Sequence, residues 1–439
     1  MNLRQFLDTL AQSGSLRAIK AEADPHLEMA ALMHRLPETP LLFEKVKGTG
    51  LRAAGNIFTS RDRLAAAMGI SSAQFLTRLT DAVKSPQSCP LTQTPACQQK
   101  VWQRVDLRQL PILKHFEKDG GPYVTSGVMI VDDPEFGRNA AFHRLMVIGG
   151  KRMAVRVVEG RGTHMALQHS GGELEVAIAI GAPPHVMVAG AMSPPPAVDE
   201  LEIAQALAAT PLANCLTNSL QVPAESEIVL EGRFISEQAD EGPFVDLTGT
   251  WDFVRKQPVI EIDAITSREG ALYEALSPGM LEHKALMGVP READIYRAVC
   301  RISRCLDVRI TQGGCSWLHA VVQIEKRNEH EPRSVIEAAF RAHPSLKQCV
   351  VVDADIDPTD PPAVEWALAT RFQADRDTVI LSGKPSSSLD PSAQHIPGAR
   401  SIGAKLGMDA TIKGADPGKF MRVPYSELGA DRARELLGE

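Results

Sequence analysis

The chain has 439 residues, of which 44% are hydrophobic and 23% charged, so it is globular in composition and too long for one ordinary core; two or three domains are expected. A formal net charge of -7 and a pI near 6.0 argue against nucleic acid or an anionic membrane as the main partner and point to a soluble, cytoplasmic protein that handles small molecules. Seven irregularly spaced cysteines with no CxxC pair read as reduced thiols rather than a disulfide framework.

At the N-terminus, MNLRQFLDTLAQSGSLRAIK places Leu3, Phe6, Leu7 and Leu10 on one helical face and lacks the apolar core of a signal peptide. Helical patterns then alternate with short apolar runs such as LLFEKV until SPQSCPLTQTPACQQ, an aperiodic stretch that reads as a linker or surface excursion. From about 115 to 300 the segments turn extended: SGVMIVDD, NAAFHRLMVI, RMAVRVV, HVMVAGAM, SEIVLEGRFIS and PVIEIDAITSR. Gly149 and Gly150 divide two of these in hairpin fashion, and a mainly antiparallel barrel or sandwich would contain them. The last third alternates strand and helix through AVVQIEK, RSVIEAAFRAH, QCVVVDAD, PPAVEWALATRF and TVILSG, which predicts a parallel α/β unit. A Gly-, Pro- and Ser-rich tail, SSSLDPSAQHIPGARSIGAKLGMDATIKGADPGKF, is expected to wrap over other elements or a neighbouring subunit before a final helix in SELGADRARELLGE. The predicted units are 1–112, 113–300 and 301–439.

Three stretches offer chemistry. ADEGPFVD sets Glu241 and Asp246 around Gly242 and Pro243, at and beyond a strand end, where one backbone specialist permits unusual angles and the other fixes φ; two acids held there can differ in environment, although a solvated acidic turn has the same spelling. EFGRNAAFHRLMV spaces Asn139 and Arg144 as N-x4-R, so a bend or bulge is needed before both face one cavity. An arginine buried there requires an acid, and Glu241 is the candidate; an exposed hairpin is the alternative. RGTHMALQHSGG and AMSPPPAVDELEIAQAL add His164, His169 and Glu200, and an Asn, His and Glu set suits Mn²⁺ or Mg²⁺, particularly an ion that also holds a phosphate. Singly, each is equally an ordinary structural residue, Glu200 being a first-turn acid.

Other motifs fail. DADIDPTD carries Pro358 and Val364 where a calcium loop needs Gly and Glu, and reads as a strand end and helix cap. KGTGLRAAG is misspaced for a dinucleotide fingerprint, neither a GxxxxGK[ST] loop nor a G-x-S-x-G elbow occurs, and Cys300 and Cys305 lack partners for zinc.

Taken together, RNAAFHR, RGTHMAL, PPHVMVAGAMSPPPAVDE, VPAESEIVLEG, DEGPFVD, EHKALMGVPREADIY, DADIDPTDPPAVEWALATR and GAKLGMDAT resemble the UbiD family of reversible, prenylated-FMN-dependent decarboxylases over residues 105 to 415. The resemblance implies an α/β N-terminal domain, a central split β-barrel of flavin-reductase type and a C-terminal α/β domain whose tail assists oligomerisation, giving a homo-oligomer, dimer or hexamer. It implies Asn139, His164 and Glu200 as ligands of a divalent metal on the flavin phosphate, and backbone near Ala189 and Met192 lining the cofactor and a K⁺. Ala141, Phe142, His143, Arg144 and Thr163 would complete the cofactor site, with a flavin prenyltransferase as its supplier. Arg144, Glu241 and Asp246 match the catalytic trio, Asp246 delivering a proton while Glu241 stays ionised beside Arg144; aspartate in place of the commoner glutamate shortens its reach. The substrate would be an aromatic, heteroaromatic or α,β-unsaturated carboxylic acid, with CO₂ the second product. His283 and Arg291, eight positions apart, lie on one side of a helix if it continues through Pro290, and could then meet a second carboxylate; PREA as a structural helix start is the alternative. The rival functions are a non-catalytic flavin- or phosphate-binding assembly subunit and a flavin-free metal-dependent hydrolase.

Overall fold

The computed structural model describes residues 1–396, 400–414, 417–420, 422–423 and 428–438. Its first helix, Leu3–Gln12, buries the four residues of the predicted face and starts at Asn2, which exchanges hydrogen bonds with Gln5 in a capping box. Beside it lies a four-stranded sheet, in which Arg17–Ala23 pairs parallel with Leu41–Val46 and Leu41–Val46 antiparallel with Arg52–Gly55. The fourth strand, Leu272–Ala275, arrives from more than two hundred residues downstream and pairs parallel with Arg52–Gly55.

The central sheet is antiparallel throughout. Its spine is two long strands, Ile228–Glu241 and Arg255–Ser267, alternately apolar on the face they bury. On one side follow Arg152–Val155, Leu145–Val147 and Tyr123–Val124; on the other come Glu175–Ile180, Val128–Asp133 and Gly137–Phe142. Among the described residues no pairing joins the two end strands. Gly137–Phe142, at one end, instead runs through His143 and Arg144 alone into Leu145–Val147, the strand beside Tyr123–Val124 at the other end. The break that N-x4-R requires is therefore a gap in the sheet, and Arg144 stands in it. Gly149 and Gly150 turn the hairpin that pairs Leu145–Val147 with Arg152–Val155, as expected.

The C-terminal sheet corrects the expectation of a parallel unit. Its order is Arg304–Ile310, His319–Glu325, Gln348–Asp353, Ile402–Asp409 and Thr378–Pro385, and both edge strands run antiparallel to their neighbours. Ile402–Asp409 falls within the segment expected to wrap as a tail; it is instead an inner strand, since its parallel pairing with Gln348–Asp353 satisfies backbone that Gly403 and Gly407 leave unprotected by side chains. The rest of the expected tail includes residues 397–399 and 415–416, outside the described residues. The final helix is Ala430–Leu437, shorter than SELGADRARELLGE, of which residues 426, 427 and 439 are likewise not described. Asp353 and Asp355 pair with buried Arg371, which accounts for the acids of DADIDPTD without calcium.

Helix Leu281–Val299 ties these parts together. It continues through Pro290, so PREA lies in the middle of the helix rather than at its start. One buried apolar cluster extends from Leu3 and Phe58 through Val186 and Ile295 to Val322 and Ile336. No helix among the described residues is long and apolar enough to cross a membrane.

Candidate active site

Arg144 is the centre of the site. Its Nε and Nη2 donate to the two carboxylate oxygens of Glu241, each at 2.8 Å, and its Nη1 lies 3.3 Å from Asp246 Oδ2. Glu241 ends the long strand Ile228–Glu241 and is completely buried, while Tyr123 donates its hydroxyl to Glu241 Oε1 at 3.1 Å. Gly242 takes φ +103°, a region closed to side-chain-bearing residues, and with Pro243 turns the chain into a short hairpin of Phe244–Val245 and Trp251–Asp252. Asp246 follows directly. Its Oδ1 accepts from the Leu247 N–H at 2.7 Å. The guanidinium also stacks over the Phe244 ring, 4.6 Å from its centroid.

A fourth charge was not read from the sequence. Asp252, across the hairpin from Phe244, lies 2.8 Å from Arg144 Nη2 and is forked by Arg255 at 2.7 and 2.6 Å. Burial opposes its ionisation, but the Arg255 hydrogen bonds and the charges of Arg144 and Arg255 outweigh it and push its pKa down to about 2. For Arg144, burial is likewise outweighed, by Glu241 first and then by Asp252 and Asp246, so it stays above the ordinary arginine value. The signal for Asp252 was a turn in LTGT that would fold TWD back on PFV.

The second cluster begins at Asn139. Glu200, in the first turn of Glu200–Leu207, accepts from Asn139 Nδ2 at 3.1 Å and from the Ala140 N–H at 2.9 Å. Burial, with a small push from Asp199, raises its pKa to about 8 against those hydrogen bonds. Helix Gly162–His169 approaches from the other side: a Cβ on Gly162 would sit 2.7 Å from Asn139 Oδ1, so a larger residue there would displace the Asn139 amide. His164 follows two residues later. Asn139 Oδ1 and His164 Nδ1 are both buried without a hydrogen-bond partner. An amide oxygen and an imidazole nitrogen without hydrogen-bond partners, on elements that pack together with the one carrying Glu200, fit the donor set of a divalent cation. Among the described residues no three His, Cys, Asp or Glu side chains cluster as ligands, since this set contains an amide. His169 lies apart, paired with Asp133 and Glu135.

Between the two clusters, His143 Nδ1 faces the Arg156 carbonyl at 2.9 Å and must donate; burial keeps the ring neutral, so Nε2 accepts from the Thr163 hydroxyl at 2.9 Å. Ala141 and Phe142 pair with Met129 and Val128 in the edge strand. Ala189 is buried in Pro184–Gly190, and Met192 follows in a loop held by Arg291, which donates to the Ala191 carbonyl at 3.1 Å and to Ser193 Oγ at 3.0 Å. Arg291 also pairs with Asp294 at 2.7 Å, and its buried Nε has no partner. His283 Nδ1 accepts from the Gly279 N–H at 3.0 Å; burial lowers its pKa, partly offset by nearby Asp246. The helix thus places His283 by the arginine cluster and Arg291 by the Met192 loop.

Family models of the 3-octaprenyl-4-hydroxybenzoate carboxy-lyase match this chain in three parts: an N-terminal domain over residues 7–83, a Rift-related domain over 91–281 and a C-terminal domain over 284–410. An anhydromevalonate phosphate decarboxylase from Methanothermobacter thermautotrophicus is 39% identical over 433 residues, 97% of this chain and all of that one. Among solved structures, the UbiD-class enzyme HmfF from Pelotomaculum thermopropionicum, in complex with FMN, superposes with a TM-score of 0.92 at 35% identity over 98% of both chains. An evolved dimeric form of HmfF in complex with prFMN gives 0.88 at 34% identity, again over 98% of each. Fold and matches together define a mixed α/β carboxy-lyase. The chain belongs to the UbiD family.

Proposed function

We infer that the chain is a decarboxylase of α,β-unsaturated carboxylic acids that works with prenylated FMN and uses Asp246 as its proton donor. The carrying observation is the unequal grip of Arg144: Glu241 has both oxygens engaged at 2.8 Å, whereas Asp246 has a single contact at 3.3 Å. Of the two carboxyls, the one that the guanidinium meets through a single long contact is the better placed to act as the acid, with its neighbour as the counter-ion.

Loss of CO₂ from an sp² carbon leaves an anion that no amino-acid side chain can delocalise; the prenylated flavin, when bound, supplies that electron sink. Asn139, His164 and Glu200 would hold a Mn²⁺ or Mg²⁺ on its phosphate, and the backbone at Ala189 and Met192 would line it beside a K⁺. Ala141, Phe142, His143 and Thr163 form the adjoining wall. Arg144 would orient the substrate carboxylate, with the Phe244 ring and Glu241 fixing the guanidinium plane. Asp246 would then protonate the carbon from which CO₂ has left.

The relative's anhydromevalonate phosphate favours a phosphorylated, non-aromatic acid over the aromatic range. Arg291 is eight residues and about 12 Å of helix rise from His283, and would face such a second anionic group. A dimeric relative favours a homo-oligomer, and a flavin prenyltransferase would supply the cofactor.

Co-expression with such a prenyltransferase, anaerobic purification and a panel of anhydromevalonate phosphate with furan, pyrrole, indole, benzoic and cinnamic acids tests this reading. CO₂ release from the phosphorylated acid is expected. Release by flavin-free protein would instead favour the metal-dependent hydrolase, and flavin binding without turnover on any acid the assembly subunit.

A further inference from the structure

The charged groups around Arg144 pair off, and the pairing singles out Asp246. Arg144 and Glu241 form one two-bonded pair; Asp252 and Arg255 form another, docked on the first through the 2.8 Å contact of Asp252 Oδ2 with Arg144 Nη2. Two guanidinium groups matched by Glu241 and Asp252 leave no net charge. Asp246 is the odd carboxyl, so protonating it brings the cluster to neutrality.

We propose that Asp252 is a positioning residue for the decarboxylation: it occupies the Nη2 edge of Arg144, keeps the guanidinium from closing on Asp246 and so leaves Asp246 able to hold and deliver a proton. The inference rests on the reading of Asp246 as the acid. Asp252 is fixed for this task by the hairpin, where it pairs with Phe244, and by the Phe253 N–H, which donates to its Oδ1 at 2.9 Å. Its side chain is only 13% exposed, so water screens the contact poorly. The other charged groups facing this corner are Glu241 from the long strand, His283 and Lys284 from helix Leu281–Val299, and Arg156 with Glu159 beyond Asp252. Of these, Glu241 shares Nη2 with Asp252, at 2.8 Å.

Opposite substitutions should move Asp246 in opposite directions. Asp252→Asn removes a negative charge and frees Arg144 for the Asp246 anion, so Asp246 gives up its proton at lower pH. Arg255→Gln removes the balancing cation, so Asp246 keeps its proton to higher pH. Each shift should be about one pH unit or more, because charges in a partly dry site are weakly screened. Asp252→Glu should restore the wild-type behaviour.

The readout is the protonated-carboxyl band in infrared difference spectra of the substrate-free holoenzyme titrated with acid, assigned by its disappearance in Asp246→Asn, together with the alkaline limb of the kcat profile. Opposed shifts with flavin retained support the proposal. A band that stays in place in both folded variants, or moves the same way in both, overturns it while leaving Asp246 as the acid. Where Asp252→Asn does not fold, the upward shift in Arg255→Gln decides alone. If no band is lost in Asp246→Asn, the assignment of Asp246 fails first and the role of Asp252 falls with it.

Discussion

Arg144 grips Glu241 with two 2.8 Å hydrogen bonds inside a site where Glu241 has no exposure to solvent. Breaking such a pair strands a buried guanidinium. Glu241→Gln is therefore expected to cost about 3 kcal/mol of folding stability and to abolish turnover, as measured by denaturant unfolding and CO₂ release on the same preparation. Unchanged stability would mean that Asp246 and Asp252 suffice to hold Arg144.

Tyr123→Phe is a milder test of the same corner. The hydroxyl donates to Glu241 Oε1 at 3.1 Å, and Glu241 keeps its two arginine bonds without it. A loss of about 1 kcal/mol and a modest fall in kcat are expected, with KM little changed. A loss of activity as complete as that of Glu241→Gln would show the phenol to be more than a support.

The metal cluster predicts a pH-dependent stability. In metal-free protein Glu200 titrates near pH 8, above the ordinary glutamate value of 4.5, so between those values the folded state binds more protons than the unfolded chain. Stability then falls as pH rises through that window, by up to about 1.4 kcal/mol per unit for one group. Buried Glu274, Glu282 and Glu292 pull in the same direction, so the informative quantity is the difference between wild type and Glu200→Gln. The variant should show a shallower slope, and Mn²⁺ should flatten the wild-type slope but not the variant's. Equal slopes in both proteins would remove Glu200 from the site.

Asn139→Ala removes the amide that spans Gly162 and Glu200. The expected result is weaker Mn²⁺ binding, by 10-fold or more on the order of what such ligand losses cost, with secondary structure retained. Calorimetric titration with the metal alone checks it.

Much of this was legible because local pattern and tertiary role agree. The helix at Leu3–Gln12, the strand ending at Glu241 and the hairpin at Gly149 and Gly150 follow from periodicity and turn residues. The N-x4-R spacing foretold a break, and the structure puts the break at His143 and Arg144. Ile402–Asp409 was not legible, because Gly-rich GAKLGMD has little intrinsic strand preference and is a strand only where two neighbours supply its pairings. Helix Leu281–Val299 passes Pro290 against local expectation, for packing on both faces outweighs the one lost hydrogen bond. Asp252 escaped for a different reason: Arg255 is a local partner, but the arginine that brings Asp252 into the site is Arg144, 108 residues upstream, and nothing in WDFVR marks it.

The most direct test follows solvent deuterium into the product of anaerobically purified, prenylated-FMN-loaded protein acting on anhydromevalonate phosphate, in wild type and Asp246→Asn. Deuterium should appear at the carbon that lost CO₂ in the wild type, with both label and turnover gone in a variant that still holds its flavin. Undiminished deuteration by Asp246→Asn, or equal CO₂ release from protein without flavin, would contradict the account.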